Sequence, residues 1–155
     1  HLGTEFTLRF PAGAIDELPR TPPPSGPLPR LRVLAVDDEE PVLSVLADLL
    51  RTMGQEVHVA LGGALGLELF ERMEFDVVFS DLGMPEVNGW DLALAVKSRR
   101  PDVAVVMVTG WGFQLEEVTT QAHGVDLVMA KPFSIEDVDR VLRQLGEICA
   151  GRRAA

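Results

Sequence analysis

Cysteine is almost absent from this chain: Cys149 stands alone among 155 residues, and tyrosine is missing altogether. A single cysteine excludes an internal disulfide, and it has no ligand-like spacing to His58 or His123, so a zinc site is not expected and Cys149 is assigned to helix packing. Bases are scarce as well, 14 against 24 acids, which gives a net charge of −10. A surface this acidic repels nucleic acid and anionic membrane, and neither is expected as a partner. Nowhere does an apolar run approach the roughly 20 residues that cross a bilayer, and no basic, apolar, small-residue series marks a secretory signal. The expected location is therefore the cytoplasm, without direct membrane contact.

What is present fits one folded domain with an appendage. Hydrophobic residues make up 46% and charged residues 25% of the chain, close to globular averages. Residues 12–30 are rich in proline (Pro19, Pro22, Pro23, Pro24, Pro27, Pro29) and are expected to form an extended linker, because proline cannot donate a backbone hydrogen bond. Ahead of it, Thr4-Glu5-Phe6-Thr7-Leu8-Arg9-Phe10 alternates polar and apolar residues, the period of a strand with one buried face.

After the linker, short valine-rich runs alternate with segments of helical period, the pattern of a parallel sheet covered by helices on both faces. Strands are expected at 32–36, 56–60, 76–80, 103–108 and 126–129, and helices at 41–53, 63–72, 89–99, 113–121 and 134–150. The fold class is α/β, a doubly wound five-stranded parallel sheet with five helices. Pro41 suits a first helical turn, Gly54 a C-terminal cap, and Ser134 with Asp137 a capping box.

Ligands of such sheets bind at the carboxyl ends of the strands. There the first strand runs into Asp37-Asp38-Glu39, the third into Asp81, the fourth into Thr109-Gly110 and the fifth into Lys131-Pro132. Clustered carboxylates repel one another, and a magnesium ion, which takes hard oxygen ligands, relieves that repulsion. A carboxylate beside it becomes a workable nucleophile toward phosphorus, with an ammonium and a hydroxyl to stabilise the transferring oxygens. Each acid alone would read as a turn or capping residue. Their joint placement at successive strand ends points to Asp81 as a phosphoryl acceptor assisted by Thr109 and Lys131, with Asp38 and Asp81 as metal ligands.

These residues resemble the receiver domains of two-component response regulators, over about residues 31–149. The run Asp81-Leu82-Gly83-Met84-Pro85-Glu86-Val87-Asn88-Gly89 is similar to the Asp-x-x-Met-Pro-x-x-x-Gly of that family. The resemblance implies a flavodoxin-like sheet of order 2-1-3-4-5, Mg2+ held by Asp37, Asp38, Asp81 and the Gly83 carbonyl, a cis Lys131-Pro132 bond, and a histidine kinase or histidine phosphotransfer protein as partner. Two features depart from the family. Val128 stands three residues before the lysine, where many receivers carry a switching aromatic, and Gly83 and Trp111 stand where some receivers place groups that position attacking water, which implies a long-lived acyl phosphate. Trp111 reads as a loop anchor beside the site and Trp90 as a packing residue.

The opening Gly3-Thr4-Glu5-Phe6-Thr7-Leu8-Arg9-Phe10-Pro11 looks like the closing strand of the ATP-binding domain of sensor histidine kinases. Together with the first residue, His1, it leads us to expect a kinase remnant or a tail (1–11), a tether (12–30), a receiver (31–150) and a short tail (151–155), the C-terminal part of a hybrid histidine kinase. The competing reading is a receiver-like interaction module that is not phosphorylated. A hydrolase working through an aspartyl phosphate ranks lower, because such enzymes typically place the nucleophile after the first strand.

Overall fold

A computed structural model describes residues 26–110 and 123–154. In chain order it contains β1 (Arg32–Asp37), α1 (Glu40–Thr52), β2 (Glu56–Leu61), α2 (Gly63–Arg72), β3 (Val77–Asp81), α3 (Gly89–Arg99), β4 (Ala104–Thr109), β5 (Leu127–Ala130) and α4 (Ile135–Ala154). All pairings are parallel and the sheet order is β2-β1-β3-β4-β5. Four helices are seen among the described residues rather than five. The helix expected at 113–121, Trp111 and the strand expected at 4–10 lie outside them.

Why the strands read as unbroken apolar runs is plain from where alternate residues go. Successive side chains of a strand point to opposite faces. Val33 and Ala35 of β1, Val77 and Phe79 of β3, and Ala104, Val106 and Val108 of β4 enter one core with Leu43, Leu46 and Leu50 of α1 and Val138, Val141, Leu142, Leu145 and Cys149 of α4. Leu34, Val36, Val78, Val105 and Met107 enter a second core with Phe70 of α2 and Leu92, Ala93 and Val96 of α3. Both faces are covered, so the central strands are apolar almost throughout, with Ser80 the buried polar exception inside β3. Trp90, half-buried, packs against the second core, and its ring meets that of His123 at 4.6 Å between centroids.

Strand edges differ from expectation in one consistent way. All five strands run one residue further toward the carboxyl end than expected, β1, β3 and β4 thereby taking in Asp37, Asp81 and Thr109. The reason is pairing: Asp37 stands opposite Leu61, Asp81 opposite Val108 and Thr109 opposite Ala130, so the ladder continues through residues whose side chains are polar. At the amino ends, acidic side chains take up the backbone instead. Asp76 accepts from the Arg32 N–H at 2.7 Å and Asp126 from the Val105 N–H at 2.7 Å.

Helix termini carry the expected markers. Pro41 lies in the first turn of α1, and Gly54 follows its C-cap with φ +82°, a conformation that costs glycine nothing and strains other residues. Ser134 and Asp137 bond reciprocally at the start of α4, the Asp137 carboxylate accepting from the Ser134 N–H and the Ser134 hydroxyl accepting from the Asp137 N–H. Bonds from the Ser134 backbone and hydroxyl hold the Asp137 carboxyl below its ordinary value.

α4 continues to Ala154, past the expected end at residue 150. Its last turn is fastened by Arg152, which donates to both carboxylate oxygens of Asp126. Asp126 also accepts from Lys97 of α3 at 2.7 Å, so one carboxylate ties α3, β4 and the end of α4 together. Burial alone would raise its pKa, but the bonds from Arg152, Lys97 and the Val105 N–H outweigh it and the pKa is lowered.

Two outcomes are expected. Asp126→Ala leaves Lys97 and Arg152 without this shared anion and costs about 2 kcal/mol in urea unfolding at neutral pH. A carboxyl depressed in the folded state stabilises above its unfolded pKa of about 3.9 and loses that contribution as pH falls through the lower folded value, so the gap between wild type and Asp126→Ala closes in strong acid. Gly89→Ala places a Cβ 2.4 Å from the Asp81 carbonyl oxygen and 2.7 Å from the Met107 sulfur, neither of which can retreat freely, and lowers stability by about 1–3 kcal/mol although alanine is the better helix former.

Candidate functional site

The sheet order reverses at β1: its neighbours are β2 on one side and β3 on the other, so the loops leaving β1 and β3 diverge and open a crevice at their carboxyl ends. Asp37 is the last residue of β1 and Asp81 the last of β3, and both are buried, at 3% and 8% exposure. Asp38, one residue on, is exposed. A carboxylate oxygen from each of the three lies within 4.8 Å of the others. Thr109, last residue of β4, is buried at the same end of the sheet, and its carbonyl accepts from the Lys131 N–H at 2.8 Å, which sets the lysine just past β5.

From there the Lys131 side chain crosses to both buried acids. Its Nζ stands 2.8 Å from Asp37 Oδ2 and 2.8 Å from Asp81 Oδ1, with Glu39 Oε1 at 4.0 Å. Each short contact carries roughly 6 kcal/mol of gross Coulomb attraction at an effective dielectric near 20. Burial pulls the lysine's pKa down, but the hydrogen bonds and charges of Asp37 and Asp81 outweigh that and the net shift is upward. Lys131 is therefore an ammonium at neutral pH. The other carboxylate oxygens are held by backbone donors: Asp37 Oδ1 accepts from the Glu39 N–H at 2.8 Å and Asp81 Oδ2 from the Gly83 N–H at 2.7 Å.

Three carboxylates against one ammonium leave the cluster with a net charge of about −2 (−3 from Asp37, Asp38 and Asp81, +1 from Lys131). A hard divalent cation suits that deficit in charge and in donor type, since every side-chain donor is a carboxylate oxygen. The site thus passes a chemical test for magnesium on its own residues.

The structure brings together Asp37, Asp38, Asp81 and Lys131 and puts Thr109 at the same sheet end. It places Gly83 beside Asp81 through its N–H. Among the described residues outside its chain neighbours, a Cβ built on Gly83 would come within 4 Å of Asp81 Oδ2 alone, at 3.6 Å. The Lys131-Pro132 bond is cis, as expected. Glu39 was not singled out beyond its place in the acidic run, yet its N–H orients Asp37 and its carboxylate sits near Lys131; adjacency to Asp38 was the only signal. Gly89 was visible only as part of a motif, and its close approach to the Asp81 carbonyl is a tertiary fact. Val128 lies on β5 with 40% of its surface exposed.

A five-stranded parallel sheet of this order, with acids at its switch point, defines a flavodoxin-like, CheY-like fold. Residues 33–143 match the response regulator receiver domain family, and the chain belongs to it: it is a receiver domain of two-component signal transduction. It is 35% identical over 134 residues to the virulence sensor protein BvgS of Bordetella bronchiseptica, covering 82% of this chain and 11% of that protein. To the sensory transduction protein RegX3 of Mycobacterium tuberculosis it is 34% identical over 119 residues, covering 74% of this chain and 52% of that one. Among solved structures, the chemotaxis protein CheY4 of Vibrio cholerae superposes with a TM-score of 0.70 at 28% identity, covering 76% of this chain and 99% of that chain. The chain thus spans only 11% of the length of the one sensor protein and 52% of the other relative. Among the described residues, no helix is long and apolar enough to cross a membrane.

The geometry makes Lys131 the counterion on which the acid pair depends. Lys131→Met should lower the thermal midpoint in metal-free buffer, and the loss should shrink on adding magnesium, since a bound cation reduces repulsion between Asp37 and Asp81. A loss that is independent of magnesium would contradict this account.

Proposed function

We propose that Asp81 accepts a phosphoryl group from a phosphohistidine, so that the domain works as the acceptor in a two-component phosphorelay. The observation that carries the reading is the environment of Asp81: a buried carboxylate at the floor of the crevice, one oxygen on Lys131 and the other on the Gly83 N–H, beside two further acids. A bound Mg2+, held by Asp37, Asp38, Asp81 and the Gly83 carbonyl, would neutralise the acids and the incoming phosphoryl oxygens.

The residues of this chain divide the remaining work. An Asp81 carboxylate oxygen attacks phosphorus in line, the O–P bond forming as the P–N bond to the donor imidazole breaks. The imidazole departs with the electron pair of that bond. The Lys131 ammonium, freed from part of its bond to Asp81 as that oxygen is phosphorylated, follows the charge onto the phosphoryl group, and the Thr109 hydroxyl donates to another of its oxygens. Because glycine leaves the approach beside Asp81 without a side chain that could orient water, the acyl phosphate is long-lived.

The parent protein we propose is a hybrid sensor histidine kinase, with residues 1–11 as the end of its ATP-binding domain and the donor either that kinase or a histidine phosphotransfer protein. Support comes from the similarity to sensor proteins, BvgS and also the aerobic respiration control sensor protein ArcB of Escherichia coli, 29% identical over 120 residues and 76% of this chain. A tethered receiver meets its donor at high effective concentration.

Incubation with magnesium and acetyl phosphate, followed by intact-mass measurement, is expected to add one phosphoryl group to the wild type. Asp81→Asn or removal of magnesium with EDTA abolishes the gain, and Lys131→Ala slows it on the order of 10²-fold. The modified protein persists for minutes or longer at neutral pH. No mass gain in the wild type would favour the non-phosphorylated interaction module, and loss of the phosphoryl group within seconds would overturn the long lifetime alone.

A further inference from the structure

The end of the proline-rich stretch does not leave the domain as free tether. Leu28 packs against the core shared by α1 and α4, and the Pro29 ring lies over Gly146 of α4, where a Cβ would come within 3.2 Å of Pro29 Cγ. Arg143 of α4 donates to the Gly26 carbonyl at 3.0 Å. On the other side stands Gln55, a buried amide in the turn between α1 and β2, 6% exposed. Its Nε2 donates to the Pro29 carbonyl at 3.0 Å and to the Met53 carbonyl at 3.1 Å, while its Oε1 accepts from the Leu31 N–H at 2.9 Å. A buried amide is costly unless its donors and acceptor are matched, and here all are matched, two of the three bonds holding residues 29–31 and the third the end of α1.

We propose that residues 26–30 are a docked strap, latched by Gln55, that closes the seam between the C-terminal end of α1 and α4 and couples the preceding chain to α4. The receiver is thereby anchored at Gly26 rather than at Leu31. The strap enters at the amino end of β1, the opposite end of the sheet from Asp81, while α4 begins three residues after Pro132 on the site side. Pulling or repositioning of the preceding chain therefore acts on the helix that follows Lys131 without touching the crevice. Glycine at 146 serves the same device: alanine there would favour the helix, but its Cβ would press on the proline ring at 3.2 Å and a larger side chain would displace it.

The Arg30–Leu31 peptide bond makes the strap measurable, since trypsin cuts after arginine only once several residues around the bond have left the surface. In the full chain, cleavage at Arg30, followed by mass spectrometry of the fragments, is expected to be at least about tenfold slower than in the double variant Leu28→Asp/Pro29→Gly. Gly146→Leu, which leaves the strap sequence intact and expels the ring from the other side, should expose the same bond. Amide hydrogen exchange of the Leu28→Asp/Pro29→Gly protein should be faster at Leu31 and along residues 138–145 of α4, with β3 and β4 unchanged. Equal cleavage at Arg30 in all three proteins would overturn the docking, and α4 exchange that ignores release of the strap would overturn the coupling.

Discussion

Everything at the functional end of this domain rests on holding two buried carboxylates, Asp37 and Asp81, on neighbouring strands of one sheet. Such a pair repels itself, and the repulsion grows as water is excluded. Lys131 makes the arrangement tolerable by bridging both at 2.8 Å, and backbone N–H groups from Glu39 and Gly83 take the outward oxygens. The arrangement is satisfied in hydrogen bonds but still short of positive charge by about two, a deficit that suits a divalent cation.

The rest of the fold is organised so that those strand ends do not move. Alternate residues of each central strand fill separate cores on the two faces, and the glycine at 89 lets α3 begin against the Asp81 carbonyl. At the far end of the sheet the same residue type has a different task. Asp76 and Asp126 accept backbone N–H groups of adjacent strands, and Asp126 adds Lys97 and Arg152. These acids are balanced by cations, whereas the acids of the crevice, though hydrogen-bonded, share a single lysine among them. That contrast, rather than acidity itself, distinguishes a structural carboxylate from a functional one here.

Where many receivers of the family carry an aromatic side chain, β5 presents Val128, small and exposed, and it has no ring whose rotation could report the state of Asp81. α4, in contrast, is tied at three places: by the Ser134 and Asp137 cap beside the site, by residues 26–30 along its middle, and by Asp126 at its last turn. It links the crevice to both ends of the described chain.

Amino-acid order alone determined the alternation of strands and helices, because periods of 2 and 3.6 are local properties of the chain, and it marked Asp37, Asp38, Asp81, Thr109 and Lys131 as residues of one strand-end cluster, because a motif records residue type and spacing. It also marked Pro41, Gly54 and Ser134 as helix-end residues, since capping is settled within one turn. Only the tertiary structure decided where strands stop, as pairing across the sheet carried β1, β3 and β4 through Asp37, Asp81 and Thr109. Likewise, composition made residues 26–30 look like tether, and packing against α4 and Gln55 made them part of the domain; α4 outran its expected end because Arg152 found Asp126. These differences share one cause: each depends on a partner distant in sequence, and a sequence read locally records the residue that reaches but not the residue that receives it.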